Sequence, residues 1–497
     1  MTLAQPVEDA LFNFDNSYAR LPERFYAEQA PTPMPAPRLI RVNEGLAAEL
    51  GVDPARLTGA QGASVLAGTS LPPGAQPLAM AYAGHQFGGF SPSLGDGRAV
   101  LLGEVLDRQG IRRDIQLKGA GRTAFSRQGD GRAVLGPVLR EYVVGEAMHA
   151  LGVPTTRALA CAYTGETVQR EQPFPGAILA RVASSHVRVG TFQYFAARGD
   201  IEALNALTDY VIARHYPELD GTANRPLALL DTVLERQAAL VAQWMLLGFI
   251  HGVMNTDNMQ IAGETIDYGP CAFMDAYHPG TVYSFIDQGG RYAYANQPQA
   301  AHWNLAQLAQ AFVPIINADE DQAVEAAVEV IKTFPARYEH AWLSGMRAKL
   351  GLCGSEENDA TLAQDLLEVM ANAQADFTLT FRHLASAIDE EHPRVLFERF
   401  DAPEALRAWL ERWRTRGQRE AVSSEERRVR MLTTNPAFIP RNHLVERAIQ
   451  HALEGDHSTF ETLVETLSSP YTEQPDRSDL MQPPKPEEVV HTTFCGT

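Results

Sequence analysis

The stretch from residue 249 to residue 269, FIHGVMNTDNMQIAGETIDYG, constrains this chain more than any other. It sets His251, Asn258 and the triplet Asp267-Tyr268-Gly269 in the order and spacing of a nucleotide-transfer centre. An amide oxygen at Asn258 and a carboxylate at Asp267 can hold one divalent cation against phosphate oxygens only if the residues between them double back. The spacing therefore predicts a strand-turn-strand over residues 259–266 that brings both side chains to one point. A long helix over residues 226–250 delivers the chain into this centre.

Kinase-like catalytic loops read His-x-Asp-x-x-x-x-Asn, then Asp-aromatic-Gly, and this chain departs from them once: Val253 stands where the loop carries its Asp. A valine cannot accept a proton from a hydroxyl nucleophile, and Asp257 is the nearest carboxylate that can. Upstream segments suit the same chemistry. The glycine-dense run GHQFGGFSPSLGDGRAVLLGEV, with Gly95 and Gly97, frees the backbone to turn and to aim amide groups at phosphates. In DIQLKGAGRT, strand alternation puts Gln116 and Lys118 on one face. A lysine there contacts phosphate when an acidic partner fixes it, and the helix beginning after Pro137 offers Glu141, or Glu146 as the alternative. Asp130-Gly131 makes a second turn that would close over a nucleotide. Arg181 and Arg188, with Ser184, Ser185 and His186 between them, either form structural ion pairs or grip a terminal phosphate through forked contacts. His186 and His251 lack partners at metal-ligand spacing and read as structural.

The formal charge of −19, from 42 basic and 61 acidic residues, repels nucleic acid and anionic membranes on average, so any phosphate-binding patch must be local. The N-terminal residues show no basic-then-apolar arrangement, which points to a cytoplasmic protein. The longest apolar run, residues 238–250, is interrupted by Gln243 and falls short of the roughly 20 residues needed to span a bilayer. Four scattered cysteines without C-x-x-C give neither a zinc site nor a disulfide framework. The expected class is α+β. Residues 1–75 read as a Pro-rich wrapping segment with one short helix near residues 43–50, and residues 76–195 as a nucleotide-binding lobe with strands near 157–163 and 176–182. Residues 196–350 form a second lobe with the catalytic and metal-binding loops, and 351–468 a helical C-terminal extension. Helical periodicity marks 318–334, 336–350, 359–378, 403–416, 441–454 and 457–467. The Pro-rich, charged residues 469–497 read as a mobile tail.

With these segments in view, the chain resembles the selenoprotein O (SelO) family of kinase-like proteins. The likeness runs through AGHQFGGFSPSLGDGRA, DIQLKGAGRTAFSRQGDGRAVLGPVLREYVVGEAMHALG, HGVMNTDNM, IDYGPCAFMD and NPAFIPRNHLVERAI. The C-terminal Cys-Gly-Thr also fits, since the family carries selenocysteine or cysteine third from the end. The resemblance implies a protein-kinase-like two-lobed fold and an adenylyltransferase that moves AMP from ATP to Ser, Thr or Tyr hydroxyls of proteins. It further implies a nucleotide inverted relative to ordinary kinases, with the α-phosphate beside the nucleophile. Carried onto matching positions, Lys118 contacts phosphate and pairs with Glu141, while Arg181 and Arg188 hold the far phosphates. Gly95, Gly97, Arg98, Asp130 and Gly131 line the nucleotide pocket. Asn258 and Asp267 bind Mg2+, with Mn2+ as a substitute, Asp267 also meets the nucleotide, and Asp257 accepts the proton. Cys271, just after the triplet, and Cys495 in the tail are a candidate redox pair whose disulfide would tether the tail to the metal-binding segment. The rival functions are a phosphotransferase acting on hydroxyls and a catalytically silent, pseudokinase-type nucleotide sensor.

Overall fold

The computed structural model describes residues 10–390, 393–400 and 403–494. The strands, in chain order, are β1 (Tyr26–Glu28), β2 (Arg38–Val42), β3 (Leu78–Met80), β4 (Gly84–Gln86), β5 (Gly89–Ser91), β6 (Ala99–Leu106), β7 (Arg112–Lys118), β8 (Ala133–Val134), β9 (Arg157–Gln169), β10 (Pro173–Ala183), β11 (Phe249–Ile250) and β12 (Ala272–Phe273). Eight of them make one antiparallel sheet ordered β1-β3-β6-β7-β10-β9-β2, with β8 also on β10. Three short helices, α1 (Glu44–Glu49), α2 (Pro54–Thr58) and α3 (Ala60–Leu66), come from the N-terminal segment. Their Leu46, Leu57 and Val65 pack with Val100, Ile115, Leu117 and Ile178 of the central strands. Both faces of those strands are covered, so β6 and β10 are apolar nearly throughout instead of alternating.

The other face carries α4 (Leu135–Ala150), whose Leu139 and Tyr142 join Cys161 and Leu179 of the sheet. Next come α5 (Val189–Ala196), α6 (Ile201–His215) and α7 (Arg225–Leu247). Helix α7 starts where the Asn224 side chain accepts from Leu227 N and stops at Gly248, whose φ of +72° is left-handed. A Cβ at Gly248 would also meet the Phe377 ring at 2.8 Å, so the stop and the packing need the same glycine. Beyond it lie α8 (Gln297–Ile316), α9 (Glu320–Ile331), α10 (Phe334–Lys349), α11 (Asp359–Ala373), α12 (Phe377–Leu384), α13 (Arg394–Phe397), α14 (Glu404–Gly417), α15 (Ser424–Thr434), α16 (Asn442–Leu453) and α17 (Ser458–Leu467). A second core runs through these helices by way of Trp244, Phe249, Tyr268, Leu305, Phe312 and Trp409. The class is α+β: an antiparallel sheet followed by many helices.

Three expectations need correction. Residues 1–75 do more than wrap, because they supply β1 and β2 at opposite edges of the main sheet; strands of three and five residues are too short to show a period. Residues 259–266 do not pair as two strands. Their backbone bonds run sideways, from Val189 N to Met259 O, from Ile261 N to Val187 O and from Thr265 N to Pro154 O, so only isolated bridges form. The described part of the tail, residues 469–494, is anchored. Pro470 O accepts from Ala437 N and Phe438 N, Met481 O accepts from Arg441 Nε, and Thr493 exchanges backbone bonds with Tyr283 and Phe285. Prolines donate nothing, but their segment still offers carbonyls to neighbours that do. Cys495 lies outside the described residues.

Candidate functional site

Strand β7 ends at Lys118, antiparallel to Leu179 of β10, and β10 places Arg181 beside Gln116. These registers aim Lys118 and Arg181 at the same side of the sheet, where α4 presents Glu141. Lys118 Nζ donates to Glu141 Oε2 at 2.5 Å. Glu146, the alternative partner, is engaged elsewhere, by Arg157, Asn43 and the backbone N–H of Ala158.

The triplet reaches this corner from the helical half. Asp267 is held at φ +67°, a left-handed conformation that an aspartate tolerates better than most residues. One carboxylate oxygen accepts from Lys118 Nζ at 3.2 Å and Arg181 Nη1 at 2.8 Å, and the other from Arg188 Nη1 at 2.8 Å and Asn258 Nδ2 at 3.0 Å. Burial pushes this carboxyl up, but the Arg188, Lys118 and Arg181 charges overcome it and hold the pKa well below the usual range. Glu141 behaves alike: burial raises it, and Lys118 and Arg181 bring it below normal.

Asp257 sits in a different environment. Its burial pushes the carboxyl up to about 6, with Arg188 opposing. Its Oδ1 is buried without a hydrogen-bond partner, as is the Oδ1 of Asn258. The unpartnered Asn258 oxygen beside the Asp267 carboxylate is a donor pair that a hard cation takes, with phosphate oxygens completing the shell, and the Asp257 oxygen stays free for a proton. Among the described residues no group of three or more His, Cys, Asp or Glu is placed to hold a metal ion, so the protein alone supplies an incomplete shell. The residues present thus fit a cation that arrives with phosphates.

All of these groups open into one cavity of about 340 Å³, lined also by Gly97, Arg98 and Val253. An adjoining cavity of about 540 Å³ shares Gly97, Arg98 and Asp257 with it and is lined by Gly95, Asp130 and Gly131. Gly95 has φ +62°, and a Cβ there would overlap the Phe125 ring at 2.2 Å. The Asp130 carboxylate is spent on Arg170 and on the backbone N–H of Arg132, so this residue contributes a braced turn. His251 bonds Ile266 O through Nε2, and His186 bonds Asp114 through Nδ1; both are structural, as their spacing predicts.

Sequence reasoning missed four contributors. Asp96 is buried, pushed up by that burial to about 6, and accepts from Met80 N and Gln116 Nε2. Gln116 steadies Arg181 Nη2 at 2.6 Å. The Tyr82 ring lies 4.8 Å under the Arg188 guanidinium. Gln86 reaches the Asp257 carboxylate at 3.4 Å. Signals existed for two of them: Asp96 lies between Gly95 and Gly97, and Gln116 shares the face of Lys118.

Comparison with known proteins bears on this geometry. The model of the family described as protein adenylyltransferase SelO matches residues 10–468. A protein nucleotidyltransferase YdiU of Rhizobium rhizogenes (strain K84) is 59% identical over 488 residues, covering 97% of each chain. The protein of the same name from Rhizobium leguminosarum bv. trifolii is 57% identical over 498 residues, covering 100% of this chain and 99% of that one. The one from Bradyrhizobium sp. (strain ORS 278) is 57% identical over 487 residues, covering 98% and 99%.

Proposed function

The chain belongs to the protein adenylyltransferase SelO family and is a nucleotidyltransferase, and we propose that it moves AMP from ATP to Ser, Thr or Tyr hydroxyls of proteins at the cavity between Lys118 and Asp257. The observation that carries this reading is the convergence of Lys118, Arg181 and Arg188 on Asp267, beside the orphaned oxygens of Asp257 and Asn258. Three cations can bind a polyphosphate and balance the charge of a departing pyrophosphate. Mg2+ or Mn2+ held by Asn258 and Asp267 would add further neutralisation of phosphate charge. Asp257, its carboxyl raised toward neutrality, takes the proton of the acceptor hydroxyl. The acceptor oxygen bonds to the α-phosphorus, the bridge between the α- and β-phosphates breaks, and pyrophosphate leaves. The inverted nucleotide pose rests on membership of the family, and Val253, which cannot accept a proton, leaves Asp257, lining both cavities, to serve as the acceptor.

The kinase-like division into residues 76–195 and 196–350 belongs to the same proposal, supported by the pairing of a strand lysine with a helix glutamate. So does a cytoplasmic location; no described helix is long and apolar enough to cross a membrane. Redox control through Cys271 and Cys495 is supported by Thr493, whose hydroxyl donates to Pro270 O at 2.6 Å and so brings the tail beside Cys271. Nonreducing peptide mapping after oxidation that finds no such linkage would remove it.

The test is intact-mass analysis of the protein, and of casein as a generic acceptor, after incubation with ATP and Mg2+. Addition of one AMP with matching pyrophosphate release supports the proposal. Addition of a phosphate would make the protein a phosphotransferase, and nucleotide binding without either product would make it a sensor.

A further inference from the structure

Glu141 shares α4 with Arg140, which points away from the cavity and is buried. The guanidinium of Arg140 makes three contacts. One Nη donates to Cys271 O at 3.2 Å, four residues beyond Asp267; the other donates to Asn442 Oδ1 at 3.0 Å and to the Glu446 carboxylate, both on α16. Arg140 therefore ties the Glu141 helix, the segment after Asp267 and the helical extension into one knot.

The extension holds the same segment elsewhere too. Phe377 N donates to Asp275 O at 2.8 Å, and Tyr277 N to Ala375 O at 2.9 Å. Buried Arg441, at the start of α16, pairs with Asp275 and with Asp376 at 2.8 Å. Residues 271–277 are thus held from two sides: β12 pairs with β11 and Met274 N donates to Gly248 O, while Asp275 and Tyr277 are bound to α12 and to Arg441 at the start of α16. Nothing in the chemistry of the nucleotide site requires this. Apolar packing of Leu139, Tyr142 and Val143 seats α4 on the sheet, but apolar contacts are not directional, and a misplacement of about 1 Å at a reacting site can lower rates by about a hundredfold.

We propose that Arg140 is a positioning residue through which the helical extension sets α4, and hence Glu141 against Lys118, relative to the Asp267 segment. The extension is then a built-in activator of the nucleotide site. The planar fork of arginine reaches three acceptors at fixed angles, which a lysine cannot do. The inference rests on the nucleotide reading above.

The test uses the full chain and measures Mg-ATP affinity by calorimetry, thermal midpoint, and kcat and KM for ATP. Arg140→Lys is expected to lower the midpoint and to weaken Mg-ATP binding about tenfold, and to have under about twofold effect on binding when Glu141→Gln is already present. Glu446→Gln, at a partly exposed position that tolerates the amide, is expected to weaken binding about threefold, and it serves if Arg140→Lys fails to fold. Equal effects of Arg140→Lys with and without Glu141, or wild-type affinity in Glu446→Gln, overturn the proposal. A wild-type chain that does not bind Mg-ATP would instead overturn the nucleotide reading.

Discussion

Replacing Asp257 by asparagine is expected to slow transfer by orders of magnitude while making the folded protein more stable. The carboxyl is raised from 3.8 to about 6 by burial, so the native state binds its proton more tightly than the unfolded chain does. Stability is then highest where the group is protonated in both states, below about pH 4, and is lost as pH rises to about 6. A shift of roughly two units corresponds to about 3 kcal/mol of destabilisation at neutral pH. Asparagine has the same shape and no charge, so it escapes that cost. Urea midpoints of the wild type and Asp257→Asn, measured without nucleotide at pH 5 and pH 8, are expected to favour the variant at both and by more at pH 8. The extra margin is about 1 to 1.5 kcal/mol, since only part of the penalty is present at pH 5. Meanwhile the rate of AMP transfer should fall by about 10² to 10⁴, the usual contribution of a general base. A variant no more stable than wild type, or a margin equal at the two pH values, would refute the claim that burial strains this carboxylate. Retention of most of the rate would refute its role as proton acceptor.

Asp267→Asn keeps a residue that tolerates φ +67° but leaves Lys118, Arg181 and Arg188 without their shared anion. It is expected to cost about 3–5 kcal/mol and all measurable transfer, and pyrophosphate should raise its melting temperature more than that of wild type. Gly95→Ala must displace Phe125 and strain a left-handed backbone; KM for ATP should rise about tenfold while the melting temperature moves little. Lys349 is buried against the Phe377 and Phe381 rings, and burial lowers its pKa to about 7. A lowered ammonium pKa costs most below pH 7 and least above pH 10, so Lys349→Met should raise the melting temperature more at pH 6.5 than at pH 9.5.

Much of the helical half was legible because its segments are long and periodic: the sequence bounds 359–378 and 441–454 correspond to α11 at 359–373 and α16 at 442–453. The bound at 378 overran because Gln374 turns left-handed, with φ +48°, and starts a new helix at Phe377. Helix α15 was missed since its first turn is almost wholly charged, and only the Ser423–Glu426 capping box announces it. The edge strands β1 and β2 and the anchored tail depend on partners far along the chain, which no local pattern records.

For the site, the sequence by itself determined the chemical inventory and its spacing: Asn258 and Asp267 around a tight return, Lys118 on a strand, Glu141 on the following helix. Those are matters of a few backbone turns, and backbone geometry is local. Only the tertiary structure decided that Lys118, Arg181 and Arg188 share one carboxylate, that Glu141 and not Glu146 meets the lysine, and that Arg140 hands α4 to the C-terminal helices. It also decided which carboxyls are pushed up, Asp257 and Asp96, and which is held down, Asp267. Strand register and burial set those outcomes, and both are properties of packed surfaces that residues distant in sequence build together.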